Sequence, residues 1–173
     1  MASNFITYTK HGVAESTLLK ATQVGHHYNL VNESKDIDNG SVAVIGDRKR
    51  ADVFEAKVPT KGDKIVLILT APKIYQEYET RMQEESNFYN GKGEVMRAYE
   101  IQDTDRFTLS TEAFADDAEL AVGKYVFVDG KGYKLTTGAK PNMTEYGFVG
   151  HIYEVAANGN YRIWVDKNAQ VYA

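Results

Sequence analysis

The apolar positions along the chain follow the two-residue period of β-strands more often than the longer period of helices. Residues 65–70 (IVLILT) are β-compatible and apolar on both faces, which predicts a central strand covered on both sides. Residues 41–45 predict a strand that ends at Gly46-Asp47. The mixed faces of residues 51–58 predict a short strand near the edge of a sheet.

Two glycine-containing turns in the second half of the chain predict β-hairpins. The first turn, DGKG at residues 129–132, lies between residues 124–128 and 133–135. The second turn, Asn158-Gly159-Asn160, lies between residues 147–155 and 161–165. Asn-Gly favours hairpin turns because both residues tolerate a positive φ. Short strands separated by such turns predict a mainly β fold, a small sandwich or barrel of short antiparallel strands.

Residues 72–90 have two interpretations, a short helix or an extended loop excursion from the β body. Pro72 suits the first turn of a helix, and three apolar residues then recur at a spacing of four, namely Ile74, Tyr78 and Met82. Many charged residues interrupt this apolar stripe, so the pattern leaves both interpretations open.

The first forty residues lack any regular period of apolar positions. Residues 4–39 are rich in Thr, Ser, Asn and His, with scattered apolar residues. This composition predicts an extended N-terminal arm and irregular segment over residues 1–40, followed by a single β-rich domain over residues 41–173. On this interpretation, removal of residues 1–32 leaves the β body folded.

The composition narrows the class of protein. The 173 residues contain no cysteine, which excludes disulfides, thiolate metal sites and a cysteine nucleophile. A formal charge of −4 argues against a nucleic-acid partner held by its backbone phosphates. The apolar run at residues 65–69 is much shorter than the roughly 20 residues of a membrane-spanning helix, so no membrane partner is expected. The first residues lack the pattern of a secretory signal.

The candidate catalytic and metal-binding residues form no complete motif. His26 and His27 are adjacent, and adjacent strand residues point to opposite faces, so they are not expected to share a metal ion. Asp103 and Asp105 could bind a hard cation, but a solvated turn is the favoured interpretation. His151 is expected to be a hydrogen-bonded strand histidine. The sequence therefore assigns no catalytic, cofactor-binding or metal-binding residue and predicts a protein that is not an enzyme.

Three further features receive structural interpretations. Gly91-Lys92-Gly93 and Gly130-Lys131-Gly132 are interpreted as loop tips, because neither lies between a strand and a helix as a phosphate-binding loop does. The charged residues 47–50 (DRKR) are interpreted as a solvated loop.

Aromatic residues make up 12% of the chain, with 12 Tyr, 7 Phe and 1 Trp. Tyrosine combines an apolar ring with a polar tip and is common on strands and at protein contacts. Tyr153, Tyr161 and Trp164 could form a cluster on one exposed sheet face, as in a carbohydrate-binding module. A ladder of packed core or edge aromatics is the favoured alternative.

One part of the chain resembles a known family. Residues 93–101 (GEVMRAYEI) and 103–114 (DTDRFTLSTEAF) resemble two strands and the acidic turn between them in tailed-phage capsid decoration proteins, which cement or stabilise the head. Residues 123–130 (GKYVFVDG) and 133–135 (YKL) are similar to a hairpin of the same family. The resemblance covers about residues 93–165.

The resemblance implies a structural protein on the exterior of a virion capsid. Its partners would be the major capsid protein and neighbouring copies of the chain or a homo-oligomer, with no cofactor and no catalysis. Two alternatives remain: another virion component, such as a head fibre base, a tail subunit or an adaptor subunit, or a small carbohydrate-binding β-module.

Overall fold

Strands dominate the structure, a computed structural model that describes residues 9–73, 76 and 78–172. The strands are β1 (Ala14–Glu15), β2 (His27–Val31), β3 (Ile37–Asp38), β4 (Val42–Arg50), β5 (Val53–Lys57), β6 (Val66–Ile68), β7 (Tyr89–Asn90), β8 (Val95–Glu100), β9 (Arg106–Leu109), β10 (Tyr125–Phe127), β11 (Thr136–Gly138), β12 (Phe148–Val155) and β13 (Tyr161–Asn168). The helices are α1 (Lys20–Val24) and α2 (Thr80–Gln83), with 3-10 turns at Glu85–Asn87 and Thr111–Ala113. The predicted mainly β fold is confirmed.

The strands form a closed barrel, an open sheet and a small ribbon. The barrel has the strand order β2-β5-β4-β6-β8, and the six-stranded sheet has the order β1-β9-β13-β12-β10-β11. The ribbon pairs β3 with β7. In the barrel β2 and β5 run parallel, whereas the other neighbouring strands are antiparallel. A closed ring of five strands cannot alternate direction at every step, so one parallel pair is unavoidable.

The barrel interior is filled by alternate residues of its strands. Small and large side chains are combined in one hydrophobic cluster, in which Ala43, Ala56 and Ala98 leave room for Met96 and Ile68. Because every second residue of a strand points to the same face, the residues between these inward positions point out of the barrel.

Strand β6 is apolar on both of its faces. Val66 and Ile68 belong to the cluster inside the barrel, whereas Ile65 and Leu67 belong to a second cluster with the inner face of the six-stranded sheet. All four side chains are buried. The predicted central strand, covered on both sides, is confirmed. One side of β6 faces the barrel interior, and the other side packs against the six-stranded sheet.

Asn168, at the end of β13, joins the six-stranded sheet to the barrel. Its side-chain amide donates hydrogen bonds to the carbonyl oxygens of Ile65 and Ile101, both at 2.8 Å, and its oxygen accepts one from the amide of Ile65 at 3.0 Å. These groups are buried, so the side chain supplies hydrogen bonds that water cannot supply.

Tyr133 makes a second connection between the two bodies. Its hydroxyl accepts a hydrogen bond from the Asn32 amide at 2.7 Å and donates one to the carbonyl oxygen of Ala56 at 2.9 Å. Its ring packs with the residues inside the barrel. Burial raises the pKa of this hydroxyl, which favours the protonated form that donates to Ala56.

The N-terminal segment differs from its prediction. Strand β1 pairs with β9, and β2 lies between β5 and β8 in the barrel wall. Leu19, Ala21 and Leu30 are buried. Residues 14–40 therefore belong to the β body rather than to an arm outside it, and the boundary expected after residue 40 does not divide the fold. Residues 1–8 lie outside the described residues.

Three strand predictions need correction. The strand expected to stop at Gly46-Asp47 continues to Arg50, because β5 pairs with β4 along this length through two register irregularities. The strand predicted near an edge, β5, has neighbours on both sides in the closed barrel. After the turn at 129–132, β10 pairs with residues 136–138 instead of 133–135, because Tyr133 turns into the barrel.

The hairpin predicted around residues 158–160 is confirmed, and residues 72–90 contain features of both of their interpretations. Strands β12 and β13 form the expected hairpin, and Gly159 at its turn has a φ of 84°. Within residues 72–90, both α2 and the 3-10 turn are short, and the residues flanking them are extended. Two of the apolar positions proposed for a longer helix are described: Met82 is buried and Tyr78 is exposed, whereas Ile74 lies outside the described residues.

Within the described residues, no helix has the length and apolar character needed to cross a bilayer.

We expect that Asn168→Ala destabilises the protein by about 3 kcal/mol, because it leaves buried carbonyl and amide groups of the barrel without partners. The matched control is Asn158→Ala, which changes an exposed turn residue whose side chain accepts one hydrogen bond, from the Asn160 amide. Thermal unfolding followed by circular dichroism should show a loss of about 10 °C for Asn168→Ala alone. Equal melting temperatures for the two variants would contradict the role of Asn168.

We expect that deletion of residues 1–32 prevents folding, because it removes β2 from the closed barrel together with the buried side chains of Leu19 and Leu30. The truncated chain should lack a cooperative thermal transition and should bind a dye for exposed hydrophobic surface. A truncated chain that melts cooperatively near the temperature of the full chain would restore the interpretation of this segment as an arm.

Candidate functional site

The six-stranded sheet has one face on the barrel and one face directed away from it. On β13, Ile163 and Val165 point inward and are fully buried, so Trp164 between them points outward. We call the outward side the outer face; it carries Glu15, Arg106, Thr108, Tyr125, Phe127, His151, Tyr153, Glu154, Arg162, Trp164 and Asp166. Most of these side chains are half-buried.

Strand register places four residues of the outer face in one row. Arg106 lies opposite Trp164, Trp164 lies opposite His151, and His151 lies opposite Tyr125. Residues directly opposite each other on neighbouring strands share a face and have their Cβ atoms in contact range. The row therefore crosses four strands of the sheet, with a cation at one end and aromatic rings along the rest.

Trp164 is the centre of the ring contacts on the outer face. Tyr153 meets it edge-on, with 6.2 Å between the ring centroids and an interplanar angle of 88°. The guanidinium of Arg106 lies over the indole, 5.5 Å from the ring centroid. These two contacts, one with a perpendicular ring and one with a cation over its face, restrict the indole.

One hydrogen bond within this row and one ion pair beside it involve carboxylates. Nδ1 of His151 lies 2.8 Å from an oxygen of Asp166, and a guanidinium nitrogen of Arg162 lies 2.9 Å from an oxygen of Glu154. All four groups are partly exposed, so each pair contributes about 0–1 kcal/mol to stability. His151 is thus hydrogen-bonded on its strand, as predicted.

A loop covers the far end of the outer face. Nζ of Lys167 donates hydrogen bonds to the carbonyl oxygens of Met143 and Tyr146, at 2.7 and 2.8 Å. The ring of Tyr146 packs against that of Phe127 with 5.1 Å between centroids. The uncovered part of the face is therefore the region around Trp164, Tyr153 and Arg106.

The aromatic cluster considered from the sequence is present only in part. Tyr153 and Trp164 are in contact on the outer face, but Tyr161 points inward, where its ring packs edge-on against Phe114 at 5.9 Å. Positions 161 and 164 differ by an odd number of residues, so strand alternation alone separates them. Arg106, His151 and Tyr125 were not expected at this face, because only the pairing register brings them beside Trp164.

The adjacent histidines point to different neighbours. His26 contacts the carboxylate of Glu100, whereas Nδ1 of His27 donates a hydrogen bond to the carbonyl oxygen of Gly25 and the ring of His27 lies beside that of Tyr99. His11 is paired with Asp38 at 2.7 Å. Within residues 9–73, 76 and 78–172, no group of three or more His, Asp or Glu side chains is arranged to hold a metal ion.

The acid pair lies at a turn, as expected, but only Asp103 is exposed, whereas Asp105 is buried. Asp105 is buried and accepts hydrogen bonds from the backbone amides of Gln102 and Lys20, at 2.9 and 3.3 Å. Asp103 accepts one from the amide of Asn168 at 2.8 Å. The two carboxylates have different partners. Asp105 links the connection between β8 and β9 to α1, and Asp103 links the same connection to β13.

The other charged motifs occupy the surface. Gly93 and Gly130 have φ values of 76° and 82° and lie in turns, as expected for loop tips. Residues 48–50 lie at the exposed end of β4, where a strand replaces the solvated loop expected from their charge. Asp116 and Asp117 are exposed.

Glu100 is the centre of a charged cluster at one mouth of the barrel. Its two carboxylate oxygens contact Nζ of Lys64 and Nδ1 of His26, both at 2.5 Å. The hydroxyl of Tyr28 lies 3.2 Å from the other ring nitrogen of His26. The cluster borders a cavity of about 190 Å³ between Val44, Ile45 and Val66. The hydrogen bond from Lys64 is the main reason that the pKa of Glu100 is lowered.

No protein-family model matches the chain, and neither a curated protein nor a solved structure matches it. The function is therefore inferred from the side chains and their positions. The outer face is the feature that combines large aromatic rings, an arginine and partial exposure.

We expect that Glu100→Gln lowers the free energy of unfolding by about 1 kcal/mol at neutral pH, since Lys64 and His26 lose a charged acceptor and are themselves partly exposed. A lowered pKa in the folded state stabilises the protein above the pKa of the unfolded chain. This stabilisation is lost as the pH falls through the folded pKa. The difference between wild type and variant should therefore shrink as the pH is lowered below about 4.5.

Urea unfolding at several pH values measures this difference. Glu119→Gln is the matched control, because Glu119 also pairs with a lysine but its side chain is 77% exposed. The control should change stability by less than about 0.5 kcal/mol at any pH. A difference for Glu100→Gln that is independent of pH would contradict an electrostatic role.

Proposed function

We propose that the chain is a structural protein of a virus particle that binds the outside of the major capsid protein shell and stabilises it, without catalysis. The observation that carries this proposal is the outer face, where Trp164 contacts both Tyr153 and Arg106 and all three residues are partly exposed. Trp, Tyr and Arg are the residues that most often dominate the binding energy of protein interfaces.

The fold supports a binding role because it makes this face rigid. The inner face of the six-stranded sheet packs on the barrel through fully buried residues such as Phe148, Ile152 and Ile163. A face held on such a support loses little conformational freedom when a partner binds, which favours affinity. The resemblance of residues 93–165 to capsid decoration proteins supports the identity of the partner as the major capsid protein.

A carbohydrate-binding module is the competing function for the same face. Sugar binding on aromatic residues requires an accessible flat ring, but one face of the Trp164 indole already carries the Arg106 guanidinium. The ring of Tyr153 stands perpendicular to the indole and is not coplanar with it. This arrangement leaves no continuous aromatic platform at Trp164, and it suits a protein contact better.

We expect that the purified protein binds empty shells assembled from the major capsid protein of the same virus, at a stoichiometry set by the lattice positions of the shell. Copies on adjacent positions would then lie side by side as neighbours. Cosedimentation with shells, followed by quantitative gel analysis and electron microscopy, measures both the affinity and the stoichiometry.

We expect that Trp164→Ala weakens shell binding by about tenfold or more, because it removes the central ring of the contact. Tyr172→Ala is the matched control, since Tyr172 is 88% exposed and lies outside the outer face. Circular dichroism establishes that both variants are folded. Equal shell binding by both variants would move the contact elsewhere, and absence of wild-type binding would overturn the proposed function.

A further inference from the structure

Three cations near the outer face lie on aromatic rings and not beside carboxylates. The Arg106 guanidinium is 5.5 Å from the centroid of the Trp164 ring. Nζ of Lys140 is 6.0 Å from the centroid of Tyr125, and Nζ of Lys61 is 5.6 Å from that of Tyr146. Among the described residues, none of the three cations takes part in an ion pair.

Most other charged groups of this region have partners, whereas the exposed Glu15 is in no ion pair among the described residues. Arg162 pairs with Glu154, His151 contacts Asp166, and Lys167 donates to backbone carbonyl oxygens. An aromatic ring attracts a cation through its quadrupole but carries no net charge, so it does not neutralise the cation. The face therefore presents three cations outside ion pairs and one such carboxylate, that of Glu15, so unpaired positive charge is in excess although the whole chain has a formal charge of −4.

We propose that the outer face binds an acidic segment of a protein partner, whose carboxylates pair with Arg106, Lys140 and Lys61. This inference rests on the proposed function for the identity of the partner, the capsid shell, and adds the chemistry of the contact. Each ring restricts the long side chain of its cation before binding, which reduces the entropy lost when a carboxylate pairs with it. Arg106 can hold a carboxylate with two parallel hydrogen bonds.

The charges on the outer face favour a protein partner over a nucleic acid. Glu15, Glu154 and Asp166 lie on the same face as the cations, and a continuous row of phosphates would meet their carboxylates. Nucleic-acid binders usually present a stripe of cations and a basic chain, neither of which is found here. Separate acidic side chains of a polypeptide can approach the cations and avoid the carboxylates.

Because the chain has a single tryptophan, its fluorescence reports on the outer face alone. Trp164 lies directly beneath Arg106, so a ligand that pairs with Arg106 changes the surroundings of the only indole. Poly-L-glutamate serves as the probe, and poly-L-lysine of similar length serves as the probe of opposite charge. We expect a saturable change of tryptophan fluorescence with poly-L-glutamate at low ionic strength, most of it lost at about 0.3 M salt.

Substitutions of the cationic residues test whether poly-L-glutamate binds at the outer face. We expect that Arg106→Gln combined with Lys140→Gln raises the dissociation constant for poly-L-glutamate by about tenfold. The matched control is Lys10→Gln combined with Lys73→Gln, which removes the same charge from exposed lysines that are not on the outer face. The control should bind the probe within about twofold of wild type. Circular dichroism establishes that both double variants are folded.

Several outcomes would overturn this inference. They are no saturable response to poly-L-glutamate, an equal response to poly-L-lysine, or equal binding by the two double variants. Tighter binding of oligo-dT than of poly-L-glutamate would assign the face to nucleic acid, and saturable binding of a neutral oligosaccharide would assign it to carbohydrate. Shell binding is a separate measurement, so wild-type protein that binds shells but fails with poly-L-glutamate loses this inference and keeps its proposed function.

Discussion

The structure depends on one constraint, which is that a wall of the barrel must be apolar on both of its faces. Strand β6 fills the barrel with Val66 and Ile68 and supports the six-stranded sheet with Ile65 and Leu67. Because these two bodies share that wall, neither can rotate against the other without exposing buried apolar surface. The same packing buries the inner face of the six-stranded sheet. The outer face is therefore the face of this sheet that can contact a partner.

The parts of the fold that could be predicted are those whose signal lies in a few neighbouring residues. Five consecutive apolar residues identified the shared wall, and Asn158-Gly159 identified the hairpin between β12 and β13. Strand β2 escaped prediction because its five residues have no clear period, and it is stabilised by pairing with β5 and β8, far along the chain. Tyr133 escaped prediction for the same reason, since its partners are Asn32 and Ala56.

The sequence predicted the aromatic residues of the candidate site but not their neighbours on other strands. Trp164 and Tyr153 were recognisable as aromatic residues on strands of one hairpin. Their association with Arg106 depends on the pairing of β13 with β9, which no local pattern specifies. The carboxylates of Asp103 and Asp105 show the opposite case. They have the residue types of a cation site, but they accept hydrogen bonds from the backbone amides of Asn168 and Lys20, which are distant in the chain.

The parallel pair of β2 and β5 has a consequence for the order of folding. The first barrel strand must wait for β8, which is encoded much later in the chain, before both of its edges are paired. Closure of the barrel is therefore a non-local event, and folds dominated by non-local pairing form slowly. While the chain emerges from the ribosome, β2 presents an open edge with Leu30 and Val31, which is a temporary site for aggregation. A nascent chain of this protein is thus most vulnerable before residue 100 has been synthesised.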